Sequence, residues 1–170
     1  LWQKHAHSFA DMTNLSKELR NKLGETFTLP ALTVDATQYS SDGTVKSRFR
    51  THEGHLVEGV LIPTDERKTA CVSSQIGCSL SCKFCATGYM DRKRNLTFDE
   101  IYDEVVLINQ QSEKVYNKKL TNIVFMGMGE PLLNYKNVLK AIERITAPDG
   151  LAMSARRITV STAGVAKQIK

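Results

Sequence analysis

The chain has 170 residues, of which 41% are hydrophobic and 24% are charged, and its formal net charge is +5. These values are ordinary for a soluble globular protein of one domain, or of one domain with a small appendage. No apolar run approaches the ~20 residues of a membrane span, and the N-terminus LWQKHAHSFADM has no signal-peptide core, so a cytoplasmic location is expected. The excess of basic residues suggests an acidic partner such as RNA, although a solvated basic surface explains the excess equally well.

Residues 1–27 predict a helical accessory region. Residues 8–23 are predicted to form a short helical appendage. Thr13 or Asn14 could cap its helix, which would carry Leu15, Leu19 and Leu23 on one face and end at Gly24. The chain starts with Leu1 rather than Met, and Lys170 follows the predicted start of a further helix. We therefore expect the chain to be cut at both ends.

Residues 28–64 predict a small antiparallel β extension. The hydrophobic period changes to two, because TVKSRFR alternates and HLVEGVLI forms another strand-like run. Turn signals separate these runs, with SSDG at residues 40–43 and EG at residues 53–54. One face of the TVKSRFR strand would present three basic side chains, namely Lys46, Arg48 and Arg50.

From residue 65 to residue 170, strand patterns alternate with helix patterns. The strands are TACVS, TNIVFM and RRITVS. The first helix should begin at Thr97 with a capping box to Glu100 and face inward with Ile101, Val105 and Ile108. The second should be capped by Asn134 and face inward with Val138, Leu139, Ile142 and Ile145. GVAKQIK opens a third. This alternation predicts an α/β fold, with a parallel sheet or an incomplete α/β barrel.

Three of the four cysteines, Cys78, Cys82 and Cys85, have the spacing C-x3-C-x2-C. A structural zinc site needs four ligands, and only His52 and His55 could supply the fourth. Cys82 and Cys85 alone would resemble a thioredoxin-like redox pair. Three thiolates on one short loop suit a [4Fe–4S] cluster, in which each cysteine binds one iron and the fourth iron stays open for a small-molecule ligand.

The segment GMGEP follows a predicted parallel strand, at the end where α/β folds bind ligands. It lacks the third glycine of a dinucleotide fingerprint, so a plain strand-to-helix turn is an equal alternative. Ser161 ends the next strand, where a serine can also cap a helix.

Glu58 shares a strand face with Leu56, Val60 and Ile62, and apolar surroundings would raise its pKa and suit it to proton transfer. The alternative is a glutamate that faces water. Cys71 lies on a strand seven residues before the cysteine loop, where a small buried residue is the simplest interpretation.

The cysteine spacing, with Phe84 between the last two cysteines, resembles the radical S-adenosylmethionine (SAM) enzymes. CVSSQIGCSLSCKFCATG, KRNLTFDEI, NIVFMGMGEPLLNY and RRITVSTAGV closely resemble the RlmN-type 23S rRNA (adenine-C2)-methyltransferases of that superfamily. The resemblance covers essentially the whole chain. It implies the first half of a radical SAM (β/α) barrel over residues 65–170, preceded by the helical appendage and the β extension. A sister group methylates C8 of the same adenine, and Pro131 favours C2.

The resemblance also implies cofactors and site residues. The three cysteines would bind a [4Fe–4S] cluster, whose open iron chelates SAM. SAM would contact Gly129, Glu130 and Ser161. Glu58 would be the proton acceptor, and Cys71 would help to remove the C2 proton and form a disulfide that releases the methylated base.

The implied substrates are 23S rRNA and some tRNAs, in which the adenine 3′ of the anticodon is methylated. The implied electron donor is of flavodoxin or ferredoxin type, and the enzyme would be a monomer. The methyl-carrying cysteine of the family lies far towards the C-terminus, and no cysteine follows Cys85. The chain alone is therefore expected not to turn over. Two competing hypotheses are a C8-methylating sister enzyme and a non-catalytic iron–sulfur or zinc RNA-binding module.

Overall fold

A six-stranded sheet forms the centre of the molecule. The computed structural model describes residues 8–27 and 32–169. Along the sheet the strands lie in the order β1 (Thr33–Tyr39), β2 (Val45–Arg50), β3 (Leu56–Pro63), β4 (Lys68–Cys71), β7 (Asn122–Phe125) and β8 (Ile158–Val160). The first four strands are antiparallel, whereas β4, β7 and β8 are parallel. The predicted α/β class is confirmed, and the β extension and the parallel part share one continuous sheet.

Two helices cover one face of this sheet. Helix α2 (Phe98–Tyr116) packs on β3 and β4, and α3 (Tyr135–Thr146) packs on α2. The covered face is made by alternate residues of the strands, including Val45, Phe49, Val57, Leu61 and Ala70, all completely buried. The opposite face, here called the open face, carries the residues between them. This two-layer arrangement leaves the β2 side chains of the open face exposed.

The predicted inward face of α2 is confirmed, because Ile101, Val105 and Ile108 are completely buried. The capping-box contact predicted for Glu100 is also confirmed, since Glu100 Oε2 accepts the Thr97 N–H at 2.9 Å. In α3 the prediction is partly wrong. Leu139 is 40% exposed, and Ala141 takes the inward position instead.

Three predicted helix details are wrong in the structure. The first helix, α1, spans Lys17–Thr26 and is capped by Ser16, whose hydroxyl accepts the Leu19 N–H at 3.2 Å. Gly24 therefore lies inside the helix rather than after it. Asn134 precedes α3 without capping it by its side chain. The described part of GVAKQIK, residues 164–169, forms only a 3-10 turn at Ala166–Gln168.

The turn predictions hold where the structure describes them. Gly43 and Gly54 have φ angles of +84°, a left-handed conformation that glycine adopts without steric cost, and each sits in the loop between two antiparallel strands. A short antiparallel pair, β5 (Gln75–Ile76) with β6 (Arg94–Asn95), closes the base of the cysteine loop. No helix among residues 8–27 and 32–169 has both the length and the apolar character needed to cross a bilayer.

Gly59 is the contact point between β3 and α2, and its replacement should destabilise the fold. A Cβ atom there would lie 2.7 Å from Glu104 Oε1, 2.9 Å from Ile108 Cδ1 and 2.9 Å from Phe49 Cε2. Because this overpacks a buried contact, Gly59→Ala should lower the free energy of unfolding by about 1–3 kcal/mol. Urea denaturation would measure the loss.

The matched control for Gly59→Ala is Gly24→Ala. A Cβ atom at Gly24 meets nothing within 4 Å, and the residue is helical, so alanine should stabilise α1 by up to about 1 kcal/mol. Equal effects of the two substitutions would show that β3 does not pack against α2 as closely as the structure has it.

Candidate functional site

The cysteine loop between β5 and β6 is held by tight backbone packing. Gly77 begins it with a φ of +75°, and a Cβ atom there would lie 2.2 Å from the Asp91 carbonyl oxygen. A Cβ atom on Gly88 would lie 2.5 Å from the Cys82 carbonyl oxygen. The Cys85 N–H donates to that carbonyl at 3.1 Å. Glycine at both positions lets the loop fold back closely on itself around its three cysteines.

All four cysteines are free thiols that are partly exposed. The predicted disulfide chemistry of Cys71 therefore has no counterpart within the described residues. Sγ of Cys78 accepts the Leu80 N–H at 3.4 Å. No three His, Cys, Asp or Glu side chains of residues 8–27 and 32–169 are grouped tightly enough to hold one metal ion. The three cysteines of the loop line one cavity and have the donor chemistry of an iron–sulfur cluster, in which each would bind a different iron.

The segment GMGEP forms the second wall of the site and packs directly on the chain that leads into the cysteine loop. The Gly127 N–H donates to the Val72 carbonyl at 3.0 Å, and the Met128 carbonyl accepts the Ser74 N–H at 2.8 Å. A Cβ atom on Gly127 would lie 2.6 Å from Ser73 Oγ. Glycine is needed here because the two backbones touch.

Glu130 is 4% exposed and joins two loops with its carboxylate. Its Oε1 accepts the Leu132 N–H at 2.9 Å and the Thr162 hydroxyl at 2.6 Å, and its Oε2 accepts the Ala163 N–H at 2.8 Å. A carboxylate offers about four acceptor positions, so three are filled within the protein. Glu130 thus fixes the loop after β8 against the loop after β7.

A cavity of about 420 Å³ opens between the cysteine loop and the loops after β7 and β8. Its size is within the range of small-molecule sites. The structure brings together here all the residues predicted to bind the cluster and SAM, which are Cys78, Cys82, Cys85, Gly129, Glu130 and Ser161. Phe84 also lines the cavity, and its side chain is 94% exposed. A planar ligand could therefore stack on its ring.

Glu58 and Cys71 lie on the open face, apart from the residues that line this cavity. Val60 is the cross-strand partner of Cys71, so Glu58 and Cys71 are diagonal neighbours on adjacent strands, a spacing of about 7–8 Å. The structure thus groups the two predicted proton-handling residues with each other.

The predicted apolar surroundings of Glu58 are wrong. Its side chain is 44% exposed, and Oε2 forms an ion pair with Lys46 Nζ at 2.8 Å. The face of β3 that α2 buries is that of Val57, Gly59 and Leu61. Glu58 therefore faces outward beside a cation.

The basic stripe of β2 is confirmed as an exposed row of Lys46, Arg48 and Arg50. Its charge is largely compensated, because Arg48 pairs with Asp35 at 2.6 Å and Arg50 pairs with the same carboxylate. Hydrogen bonds from Arg50 and Arg48 lower the pKa of Asp35. The stripe is therefore an ordered ion-pair network on the open face.

Cys71 has a thiol that holds its proton at neutral pH. Burial raises the pKa of this thiol above its usual value, and the nearby Glu104 carboxyl raises it further, while a hydrogen bond with the Met126 backbone acts in the opposite sense. Because a thiolate is the reactive form of cysteine, Cys71 is a poor nucleophile in the resting protein.

The sequence prediction missed Ser73, Glu104 and Gln75. Ser73 is completely buried, donates its hydroxyl to the Glu58 carbonyl at 2.6 Å, and accepts the Met128 N–H at 2.8 Å. Its own N–H lies 3.1 Å from both carboxyl oxygens of Glu104. Glu104 carried a usable signal, since it stands three residues after Ile101 on the inward face of α2.

Two family-wide sequence models match the chain. One, described as Radical SAM superfamily, matches residues 72–169. The other, described as Ribosomal RNA large subunit methyltransferase N-terminal domain, matches residues 1–29. The first covers the cysteine loop and the loops after β7 and β8 that line the cavity, and the second covers the predicted accessory region.

Curated relatives match the whole chain. A protein of Cytophaga hutchinsonii named probable dual-specificity RNA methyltransferase RlmN is 61% identical over 99% of the chain, and one of the same name from Christiangramia forsetii is 59% identical over all of it. These matches cover 46% and 48% of the relatives, so the chain spans about half their length. The resemblance predicted from the four motifs is thereby confirmed.

A solved structure shows the same fold. The crystal structure of a radical SAM methyltransferase from Sphaerobacter thermophilus superposes with a TM-score of 0.88 at 41% identity, covering 96% of this chain and 48% of that protein. The sheet, the cysteine loop and the helices described above therefore correspond to half of a known radical SAM methyltransferase structure.

Proposed function

We propose that this chain, which belongs to the radical SAM superfamily, supplies the cluster-binding and SAM-binding half of an RNA (adenine-C2)-methyltransferase. One observation carries the proposal. A single cavity is lined by the three cysteines of the C-x3-C-x2-C loop and by the glycine-rich segment after β7. The relatives' names supply the substrate class, since they describe dual-specificity RNA methyltransferases.

Cys78, Cys82 and Cys85 would hold three irons of a [4Fe–4S] cluster and leave the fourth iron to SAM. When bound, the cluster would supply the electron that cleaves SAM. The Leu80 N–H, which donates to Cys78 Sγ, would orient that sulfur on the loop. The remaining acceptor position of Glu130 and the close approach allowed by Gly129 suit the ammonium group of SAM.

Glu58 and Cys71 would handle the proton of the target adenine from the open face. Cys71 keeps its proton in the resting protein because burial raises the pKa of its thiol. Glu58 is exposed and ionically paired with Lys46, so a substrate that displaces Lys46 would free the carboxylate to accept a proton. The adenine must leave its stack to reach these groups.

The proposed partners follow from the same family. They are 23S rRNA and tRNA as substrates and a flavodoxin- or ferredoxin-type protein as electron donor, with the enzyme acting as a cytoplasmic monomer. Exposed basic side chains such as Arg156 and Arg157 suit contacts with RNA phosphates, which position the RNA without selecting a base.

Anaerobic reconstitution of the chain with iron and sulfide tests the first half of the proposal. The expected result is about four irons and four sulfides per chain, and an absorption spectrum that changes when SAM is added. Tightly bound zinc without a response to SAM would instead establish the non-catalytic zinc module.

A hybrid protein tests the second half. It would carry residues 1–170 of this chain followed by the C-terminal half of the Cytophaga hutchinsonii relative. With a reductant and SAM it should methylate a 23S rRNA transcript at C2 of adenine, as read by mass spectrometry of the nucleosides. Methylation at C8 would identify the chain with the sister group, and repeated turnover by residues 1–170 alone would contradict the expected need for the second half.

A further inference from the structure

Gln75 lies between the two walls of the cavity, completely buried at the base of the cysteine loop. Its side-chain carbonyl accepts the Glu130 N–H at 2.9 Å, and its side-chain amide donates to Asn95 Oδ1 at 2.6 Å. Gln75 belongs to β5, where the loop begins, and Asn95 belongs to β6, where the loop ends. One side chain therefore ties both stems of the cysteine loop to the segment GMGEP.

Gly129 is shaped to receive this side chain. Its φ is +90°, and a Cβ atom there would lie 2.4 Å from Cβ and 2.6 Å from Cγ of Gln75. The backbone of Gln75 adds a third link, because its N–H donates to the Met128 carbonyl at 3.2 Å. The methylene groups of Gln75 thus occupy the space that a side chain at position 129 would need.

Asn95 extends the link beyond the loop stems. Its Oδ1 also accepts from Arg92 Nη2 at 3.0 Å, and its Nδ2 donates to the Leu133 carbonyl at 3.2 Å. Both ends of the Asn95 amide are therefore occupied, which fixes its orientation toward Gln75. Leu133 follows GMGEP in the chain, so the second wall is held at two points, Glu130 and Leu133.

We propose that Gln75 is a positioning residue that sets the spacing between the cysteine loop and the GMGEP segment, and so determines how SAM is seated between them. This inference rests on the proposed function. Gln75 is not among the residues that line the cavity, so it acts through Glu130 and through the loop stems. It should govern SAM binding and leave cluster binding unchanged.

The test compares Gln75→Met with the wild-type chain after anaerobic reconstitution. Methionine has a similar length and removes both side-chain hydrogen bonds. The iron content should stay close to that of the wild type, while the affinity for SAM, titrated by the spectral change, should fall by about tenfold or more, as expected for the loss of two hydrogen bonds. Unchanged SAM affinity, or a loss of iron that parallels the loss of SAM binding, would overturn the proposal.

Asn109→Met is the matched control. Asn109 is also a buried amide and accepts the Leu120 N–H at 2.9 Å, but it lies on α2 outside the walls of the cavity. The Asn109→Met substitution should lower the stability of the protein and leave its SAM affinity unchanged. An equal loss of SAM affinity in both variants would show that Gln75 acts only by stabilising the fold, and would overturn the proposal. If Gln75→Met does not fold, Asn95→Ala breaks the hydrogen bond from Gln75 to the β6 stem and leaves the one from Glu130 in place. SAM affinity should then fall by a smaller factor, and normal SAM affinity in that variant overturns the proposal that the tie between both loop stems and GMGEP seats SAM.

Hydrogen exchange at the Glu130 amide separates this proposal from the proposed function. The amide should exchange faster in Gln75→Met than in the wild type without any cofactor bound. If the wild-type chain shows no response to SAM, the proposed function and the seating of SAM both fail. Faster exchange would then support the spacing role alone, and unchanged exchange would overturn that role too.

Discussion

Cys82→Ala should abolish iron binding after reconstitution, with the iron content falling from about four per chain to nearly none, and the spectral response to SAM should vanish with it. Cys82 lies in the middle of the three-cysteine loop, and its backbone is packed against Gly88. Alanine keeps that packing and removes only the thiol. With two cysteines left, the loop supplies too few thiolates to retain the cluster. Iron and sulfide assays on the gel-filtered protein give the result directly.

The matched control for Cys82→Ala is Cys71→Ala, which removes the one cysteine outside the loop. Cys71 lies on the open face of β4, so this variant should keep its iron and its response to SAM. Equal loss of iron in both variants would make Cys71 a ligand. Full iron content in Cys82→Ala would mean that other side chains, such as His52 or His55, complete the site.

Glu104→Gln should change how stability depends on pH. Complete burial raises the pKa of Glu104 well above its ordinary value of 4.5, and the Ser73 N–H only partly opposes this. The folded protein then binds a proton that the unfolded chain has lost, so stability is fully present below pH 4.5 and falls as the pH rises towards the folded-state pKa. Glutamine stays neutral throughout. As the pH rises from 4.5 towards the folded-state pKa, the wild type should lose stability relative to the variant, by at most about 1.4 kcal/mol per pH unit.

Urea unfolding of both proteins across this range measures the difference, and Glu100→Gln is the control of opposite sign. Burial acts to raise the pKa of Glu100, but hydrogen bonds from Arg94 and the Thr97 backbone outweigh it and lower this pKa. The stabilisation from Glu100 is therefore present above pH 4.5 and is lost only as the pH falls through the folded-state pKa. Parallel curves for the wild type and Glu104→Gln would show that Glu104 ionises normally.

Period and motif spacing predicted most of the elements, because alternation and turn residues are local properties. The strands β2, β3 and β7 and the inward face of α2 follow from them directly. The predictions of where helices begin and end were less accurate. Ser16 competes with Thr13 and Asn14 as a cap, and the amide of Asn134 is drawn away from α3 to the carbonyls of Ser74 and Leu96, both at 2.7 Å.

The error at Glu58 has a clear physical origin. Both faces of β3 carry apolar side chains, since Leu56, Val60 and Ile62 alternate with Val57 and Leu61. The period of two therefore separates the faces without indicating which one is buried. Helix α2 determines which face of β3 is buried, because it packs where Gly59 leaves room for Glu104 and Ile108.

The lining of the cavity was predictable, but the contacts that hold it were not. Cysteine spacing and the glycine-rich segment are short motifs whose chemistry can be inferred from residue type. Gln75, Ser73 and Glu104 act through hydrogen bonds to residues between 15 and 55 positions away. Such pairings depend on the tertiary fold, and a single polar residue in an apolar stretch gives no indication of its partner.

The continuity of the sheet between β3 and β4 also predicts the order in which the strands pair during folding. Strands β1 to β4 are joined by short turns, so their pairing requires little loop closure, whereas β4 and β7 are separated by the cysteine loop and the whole of α2. Contacts that are close in sequence form faster than distant ones. The antiparallel strands should therefore assemble first and present β4 as a template on which β7 and then β8 are added.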